Sequence, residues 1–140
     1  MADLRQLRTM NIDKVRKLLR ASAIRMKDTG VQGISKYARY DAAYDAAFLC
    51  ALAYLEANKL EMEGKGHHRE ALTYLVTSLK LKGDCAELIA PMVQARNSNR
   101  YDGDLITDER LVLLACEWAT RIRAEAESWF KTHLPQALKD

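Results

Sequence analysis

The 140-residue chain predicts an all-α fold, an up-and-down bundle of about five antiparallel helices. Three observations point to it. Glycine and proline are scarce, at six and two, while Ala, Leu, Arg, Lys and Glu, which lose little on entering a helix, are plentiful. Apolar residues recur at three-and-four spacing in five stretches, and no strand pattern appears anywhere. The stretches are separated by few residues, which makes successive helices antiparallel neighbours.

The first helix is expected from about Asn11 to Asp28, with Asn11 as N-cap, a stripe of Ile12, Val15, Leu19 and Met26, and a stop in the Gly30 to Gly33 region. The second is long, from about Ser35 to Glu61, with Tyr37, Tyr44, Phe48, Ala51 and Leu55 on one face and Gly64-Lys65-Gly66 beyond its end. The third spans about His67 to Lys82, carries Leu72, Leu75, Val76 and Leu79, and stops at Gly83. The fourth begins after Asp84, a good N-cap residue, and carries Leu88, Ile89, Met92 and Val93. Pro91 lies too deep for a first-turn proline and predicts a kink or a late start. This helix should fray over Asn97 to Gly103, where Asn, Ser and Gly cluster. The fifth runs from about Asp108 to His133, capped by Thr107 or Asp108, with Leu111, Leu114, Ala115, Trp118, Ile122 and Trp129 inside and Pro135 closing it.

Residues 1–140 are read as one domain, with a core over about 11–133. Hydrophobic residues make up 49% and charged residues 29%, a balance typical of compact chains and unlike disordered ones. A net charge of +3 permits an RNA partner without arguing for one. Cys50, Cys85 and Cys116 are far apart, each within an apolar helical pattern, so buried thiols in a reducing compartment are expected. No apolar run follows Met1-Ala2-Asp3-Leu4-Arg5 and no stretch approaches a membrane span, so the expectation is a cytoplasmic protein without a membrane partner. No two histidines have metal-ligand spacing on one helix face, and no cysteine lies beside a candidate base; neither a metal nor another cofactor is expected.

Function is sought where the amphipathic pattern breaks. Asp41 shares the stripe of Tyr37, Tyr44 and Phe48, and Asp45 lies one turn on. Like charges at this spacing repel by about 0.2–0.5 kcal/mol on an exposed helix, and by more when partly buried without cations. Either one Asp is solvated and the other pairs locally with Arg39 or Lys36, or an arginine from another helix holds at least one of them. On the fourth helix, Arg96 and Arg100 continue the line of Cys85, Ile89 and Met92. A guanidinium there either finds carboxylates or a phosphate, or packs its stem and lets its head snorkel outward. The turn Gly64-Lys65-Gly66-His67-His68-Arg69 precedes a helix N-terminus and could hold an anion, but lacks the length and ending of a P-loop. His68 starts the stripe continued by Leu72, Leu75 and Leu79. The tyrosines at 37, 40, 44 and 54 read as core and hydrogen-bond anchors.

Three segments together resemble the HEPN family. Arg39-Tyr40-Asp41-Ala42-Ala43-Tyr44-Asp45-Ala46-Ala47 is similar to its signature helix, and Gly66-His67-His68-Arg69 looks like the turn that follows. Ala95-Arg96-Asn97-Ser98-Asn99-Arg100-Tyr101-Asp102 resembles its arginine motif. The likeness covers about Ser35 to Trp129. It implies a helical bundle that often forms a homodimer with two arginine motifs close together. It also implies an RNA-directed function: a metal-independent endoribonuclease of a toxin–antitoxin or defence system, with a cognate antitoxin as partner. The alternative is a non-catalytic module that binds a nucleotide, RNA or a partner protein such as a minimal nucleotidyltransferase.

On that resemblance Arg96 binds and stabilises the scissile phosphate, Asn97 orients it, Arg100 adds charge, and Asp45 or Asp41 orients the arginine. Active members place a histidine a few positions after the arginine and its polar neighbour. Tyr101 stands there instead, and an ordinary tyrosine, with a pKa of about 10, is poorly matched to proton transfer near neutrality. His67 or His68 can substitute as base only if the fold carries that turn to Arg96. A third expectation is a plain bundle in which Arg96 and Asp45 form a buried ion pair.

Overall fold

A computed structural model describes residues 4–64 and 67–139. Met1, Ala2 and Asp3, and with them part of the N-terminal reading, lie outside the described residues, as do Lys65 and Gly66 of the glycine turn. The elements are β1 (Leu4–Gln6), α1 (Ile12–Asp28), α2 (Lys36–Ala57), β2 (Leu60–Met62), α3 (His68–Ser78), α4 (Cys85–Asn97), a π-helical turn (Ser98–Asp102), α5 (Glu109–His133) and a 3-10 turn (Pro135–Leu138). The expected five-helix all-α bundle is what the chain forms, and among the described residues no helix is long and apolar enough to cross a membrane.

Helix α2 forms the centre, packed most extensively against α1 and α5, with α3 and α4 closing the remaining side. Its buried face is built from alanines and tyrosines: Ala43, Ala46, Ala47, Ala51 and Ala53 let neighbours approach, and Tyr40, Tyr44 and Tyr54 fill the space between them. The buried hydroxyl of Tyr40 donates to the Met92 carbonyl of α4 at 2.6 Å, and the Trp118 indole of α5 donates to the Cys85 carbonyl at 3.1 Å. These bonds satisfy polar atoms inside the core and fix where each helix sits along its neighbour. Cys50 and Cys85 are buried free thiols and Cys116 is partly buried.

Caps and ends follow local chemistry. Asn11 accepts from the Lys14 amide at 3.1 Å, and Asp108 accepts from the Arg110 amide at 2.9 Å. Asp84 precedes α4 without capping it; its carboxylate pairs with Arg121 of α5 at 3.1 Å. The helix starts at Cys85 and passes through Pro91 to Asn97, so it does not start late. Helix α3 ends at Ser78, short of the expected Lys82. Lys80 adopts a φ of 53°, and the Leu81 and Lys80 amides fold back onto the Val76 and Thr77 carbonyls, closing the helix before Gly83 is reached.

The expectation of an entirely strand-free chain is corrected at one place. Leu60–Met62, expected in the tail of the second helix, pairs antiparallel with Leu4–Gln6 in the register Leu4 to Met62. Helix α2 stops earlier because Lys59 takes a φ of 61°, and the Lys59 carbonyl then accepts from the Leu7 amide at 2.7 Å. Three-residue strands are too short to show period-two alternation in sequence.

The end of α2 also fixes the start of α1. Glu56 is only 4% exposed, and its carboxylate accepts from the Asn11 amide at 2.8 Å and faces Lys14 Nζ at 3.5 Å. Glu56→Ala strips that amide of its partner, and about 1–3 kcal/mol of stability should be lost. Denaturant unfolding of the variant beside wild type checks this; superimposed curves would remove the proposed anchor.

Candidate functional site

Helix α2 carries the partly exposed Asp41, Asp45 and Phe48 beside the buried Tyr44. Asp45 is held by an arginine from another helix, as one of the two readings of this pair anticipated, and that arginine is Arg25 of α1. Arg25 reaches Asp45 at 3.3 Å and Asp28 at 2.8 Å. Burial raises the Asp45 carboxyl above its usual range, with Arg25 opposing the shift. Asp41 accepts from the Asn99 side-chain amide at 3.0 Å. Neither aspartate makes an ion pair with Arg96, so the expected orienting role of Asp45 or Asp41 and the expected Arg96–Asp45 pair are both corrected. Each carboxylate is already committed to a nearer donor.

The segment expected to fray after α4 is an ordered wide turn. Asn99, 6% exposed, points inward, donating to Asp41 and to the Tyr37 carbonyl at 3.4 Å and accepting from the Ile106 amide at 3.0 Å. Gly103, at a φ of 74°, ends the turn and returns its amide to the Ser98 carbonyl. With Asn99 anchored inside, Arg100 and Tyr101 project outward, Tyr101 being 69% exposed. π-helical turns are rare and occur often at functional sites.

Arg96 is partly buried between two aromatic rings. Its guanidinium carbon lies 5.5 Å from the Tyr44 ring centre and 5.9 Å from that of Tyr101. Its contact with the Asn97 side-chain oxygen is long, at 3.4 Å, and its buried Nε has no hydrogen-bond partner among the described residues. A guanidinium remains charged at any physiological pH, so the aromatic faces stabilise this cation without neutralising it.

His68, the first residue of α3, is brought to the same place. Its Nδ1 lies 2.9 Å from the Tyr44 hydroxyl, and its ring stacks on Phe48 with centres 3.8 Å apart. Burial, followed by the charges of Arg96 and Arg100, pushes its pKa down to about 4. Burial raises the Tyr44 hydroxyl, so at neutral pH the pair is an uncharged imidazole bonded to an intact phenol. Whichever group donates that bond, the ring's Nε2 keeps no hydrogen-bond partner among the described residues. His67 takes another direction, its Nδ1 lying 3.4 Å from Glu70.

Arg25, Asp45, Phe48, His68, Arg96 and Arg100 thus line one cleft of about 430 Å³. Three guanidinium groups face one carboxylate there, and the cleft suits an anion. Of the residues singled out in sequence, Arg96, Arg100, His68 and Asp45 share it. Asn97 and Tyr101 stand beside Arg96, while Asp41 serves the turn behind. Sequence reasoning missed Arg25, Phe48 and the bridging role of Tyr44. Arg25 lies on a polar stretch of α1 and pairs across twenty positions, which leaves no local signal; Phe48 resembles any core residue. Among the described residues no three His, Cys, Asp or Glu side chains converge as a metal site would require.

Because the folded chain holds the His68 pKa at about 4 against an ordinary 6.5, the unfolded chain takes up this proton first as pH falls. The effect is absent above pH 6.5 and destabilises the fold progressively between 6.5 and 4. Stability measured at pH 7 and pH 5 should therefore fall more for wild type than for His68→Gln; equal losses would contradict the shift.

The chain matches no protein-family model, no curated protein and no solved structure.

Proposed function

We propose that the chain is an RNA-directed protein of the HEPN type that cleaves RNA without a metal ion. The observation carrying this reading is the placement of an unneutralised Arg96 and an uncharged His68 on either side of Tyr44, at one anion-ready cleft. Arg96 and Arg100 hold the phosphodiester and stabilise charge as it builds on the phosphorane oxygens. The 2′-hydroxyl oxygen attacks the adjacent phosphorus, His68 accepts its proton, and the bond to the 5′-oxygen breaks, that oxygen taking a proton from water. The products are a 2′,3′-cyclic phosphate and a 5′-hydroxyl. The histidine is supplied by α3, three-dimensionally beside Arg96, and Tyr101 is left to position substrate at the rim. Burial is the larger cause of the low His68 pKa and the charges of Arg96 and Arg100 follow; a bound phosphate offsets those charges and lifts the pKa by that share.

The low pKa of His68 in the free chain favours a second reading, a non-catalytic module that holds a nucleotide, RNA or a partner such as a minimal nucleotidyltransferase in the same cleft. A homodimer and a cognate antitoxin belong to the first reading. Tyr101 and Leu105, at and just after the arginine motif, are exposed apolar side chains on which a second copy can pack.

Purified protein incubated with a labelled RNA pool in EDTA should cleave it, leaving cyclic phosphate ends. Arg96→Ala and His68→Gln should each lower the rate at least a hundredfold, within the usual range for loss of a charge stabiliser or general base. Intact RNA with wild type, alongside measurable RNA retention that Arg96→Ala abolishes, would select the binding module.

A further inference from the structure

Helix α1 has a second basic cleft on its other flank. Arg16 and Arg20 of α1, Arg123 of α5 and Lys139 line a cavity of about 160 Å³ together with Glu127, with Leu19, Ala23 and the buried Cys50 among its apolar lining. Among the described residues, four cations face one carboxylate. Glu127 stands four residues after Arg123 on α5, the spacing of a helix ion pair, yet the two do not pair. No ion pair among the described residues joins Arg20, Arg123 or Lys139 to any carboxylate, and Arg16 reaches the exposed Asp13 only at 3.5 Å.

Neutral groups hold two of these cations in place. Arg16 Nε donates to the Gln136 carbonyl at 2.9 Å, tying α1 to the 3-10 turn. Arg123 Nε donates to the Ser22 hydroxyl at 2.9 Å, and that fully buried hydroxyl donates in turn to the Ala46 carbonyl at 2.6 Å. Each anchor uses one Nε–H; the terminal nitrogens of Arg123 keep their donors for a ligand, and Arg16 Nη1 is engaged only by the exposed Asp13 at 3.5 Å. A guanidinium oriented in advance by backbone and hydroxyl partners loses little freedom when an anion arrives. The cavity is large enough for a phosphate group and small enough to put several donors around it, whereas a solvated basic helix face encloses no such space.

We infer that the Arg16–Arg20–Arg123–Lys139 cleft is a second phosphate-binding site, separate from the Arg96 cleft. It takes the phosphate of a free polyphosphate compound or of a nucleic-acid strand. The inference does not rest on catalysis at Arg96.

The test follows the Nε–H signals of Arg16, Arg123 and Arg96 in ¹H–¹⁵N spectra of the full chain during titration with pyrophosphate. A parallel titration uses a short single-stranded oligoribonucleotide at the same ionic strength. The Arg16 and Arg123 signals should move with saturation in at least one titration, and Arg20→Glu should weaken that response at least tenfold. Arg20 makes no hydrogen bond or ion pair among the described residues, so this variant should keep the wild-type spectrum elsewhere. Arg96→Ala should leave the Arg16 and Arg123 response unchanged, which separates failure here from failure of the Arg96 cleft. A response to pyrophosphate alone assigns a free phosphate compound, and a response to the oligonucleotide assigns a nucleic-acid backbone. Static Arg16 and Arg123 signals in both titrations, or an Arg20→Glu titration that matches wild type, would overturn the inference.

Discussion

Helix α2 has twelve of its 22 residues buried, and the other helices are placed by the need to cover it. A helix apolar on most of its circumference must lie inside the protein, and its neighbours can approach only as its side chains allow. Alanines at most contact positions permit that close approach, so the bundle is held by tight packing around α2. The tyrosines set the alignment, because each buried hydroxyl requires a partner from elsewhere. Tyr40 finds one on α4 and Tyr44 on α3.

That covering is incomplete along the strip bearing Asp41 and Asp45, and the cleft arises there. Two carboxylates one turn apart beside a packed core need donors, and they receive them from different elements. Asn99 draws the π-helical turn inward to Asp41, and Arg25 of α1 closes over Asp45. Because both carboxylates are taken, Arg96 is left against the Tyr44 and Tyr101 rings with its charge uncancelled. Burial, followed by the positive potential of Arg96 and Arg100, keeps His68 neutral. Packing around Tyr44 therefore produces a cation beside an uncharged imidazole, an arrangement that favours incoming anions.

The two clefts flank the same helix and rest on the same device. In each, at least one guanidinium group is positioned by neutral partners (a carbonyl, a hydroxyl or an aromatic face), although Arg25 of the first cleft is held by Asp28 and Asp45. The modest net charge of +3 conceals this, since the acidic residues lie largely elsewhere. Where charge sits decides what a surface attracts; the total does not.

The helices were legible in the chain because they follow from short-range rules. Apolar spacing, capping residues and glycine stops place α1, α2 and α5 within a few residues of where they form. The end of α2 differs for a long-range reason, since β2 exists because a segment more than fifty positions away supplies backbone partners; α4 starts right after Asp84 as expected, although Arg121 draws the Asp84 carboxylate away from capping. For the cleft, Arg96, Arg100, His68 and Asp45 stood out as polar breaks in apolar stripes. Their grouping did not, since which carboxylate meets which cation depends on how helices distant in sequence pack. Local patterns thus specify the helices and mark the residues that do not belong in a core. Partnership, burial and the resulting pKa of His68 are properties of packing around α2, because they arise from groups that become neighbours only when the bundle closes.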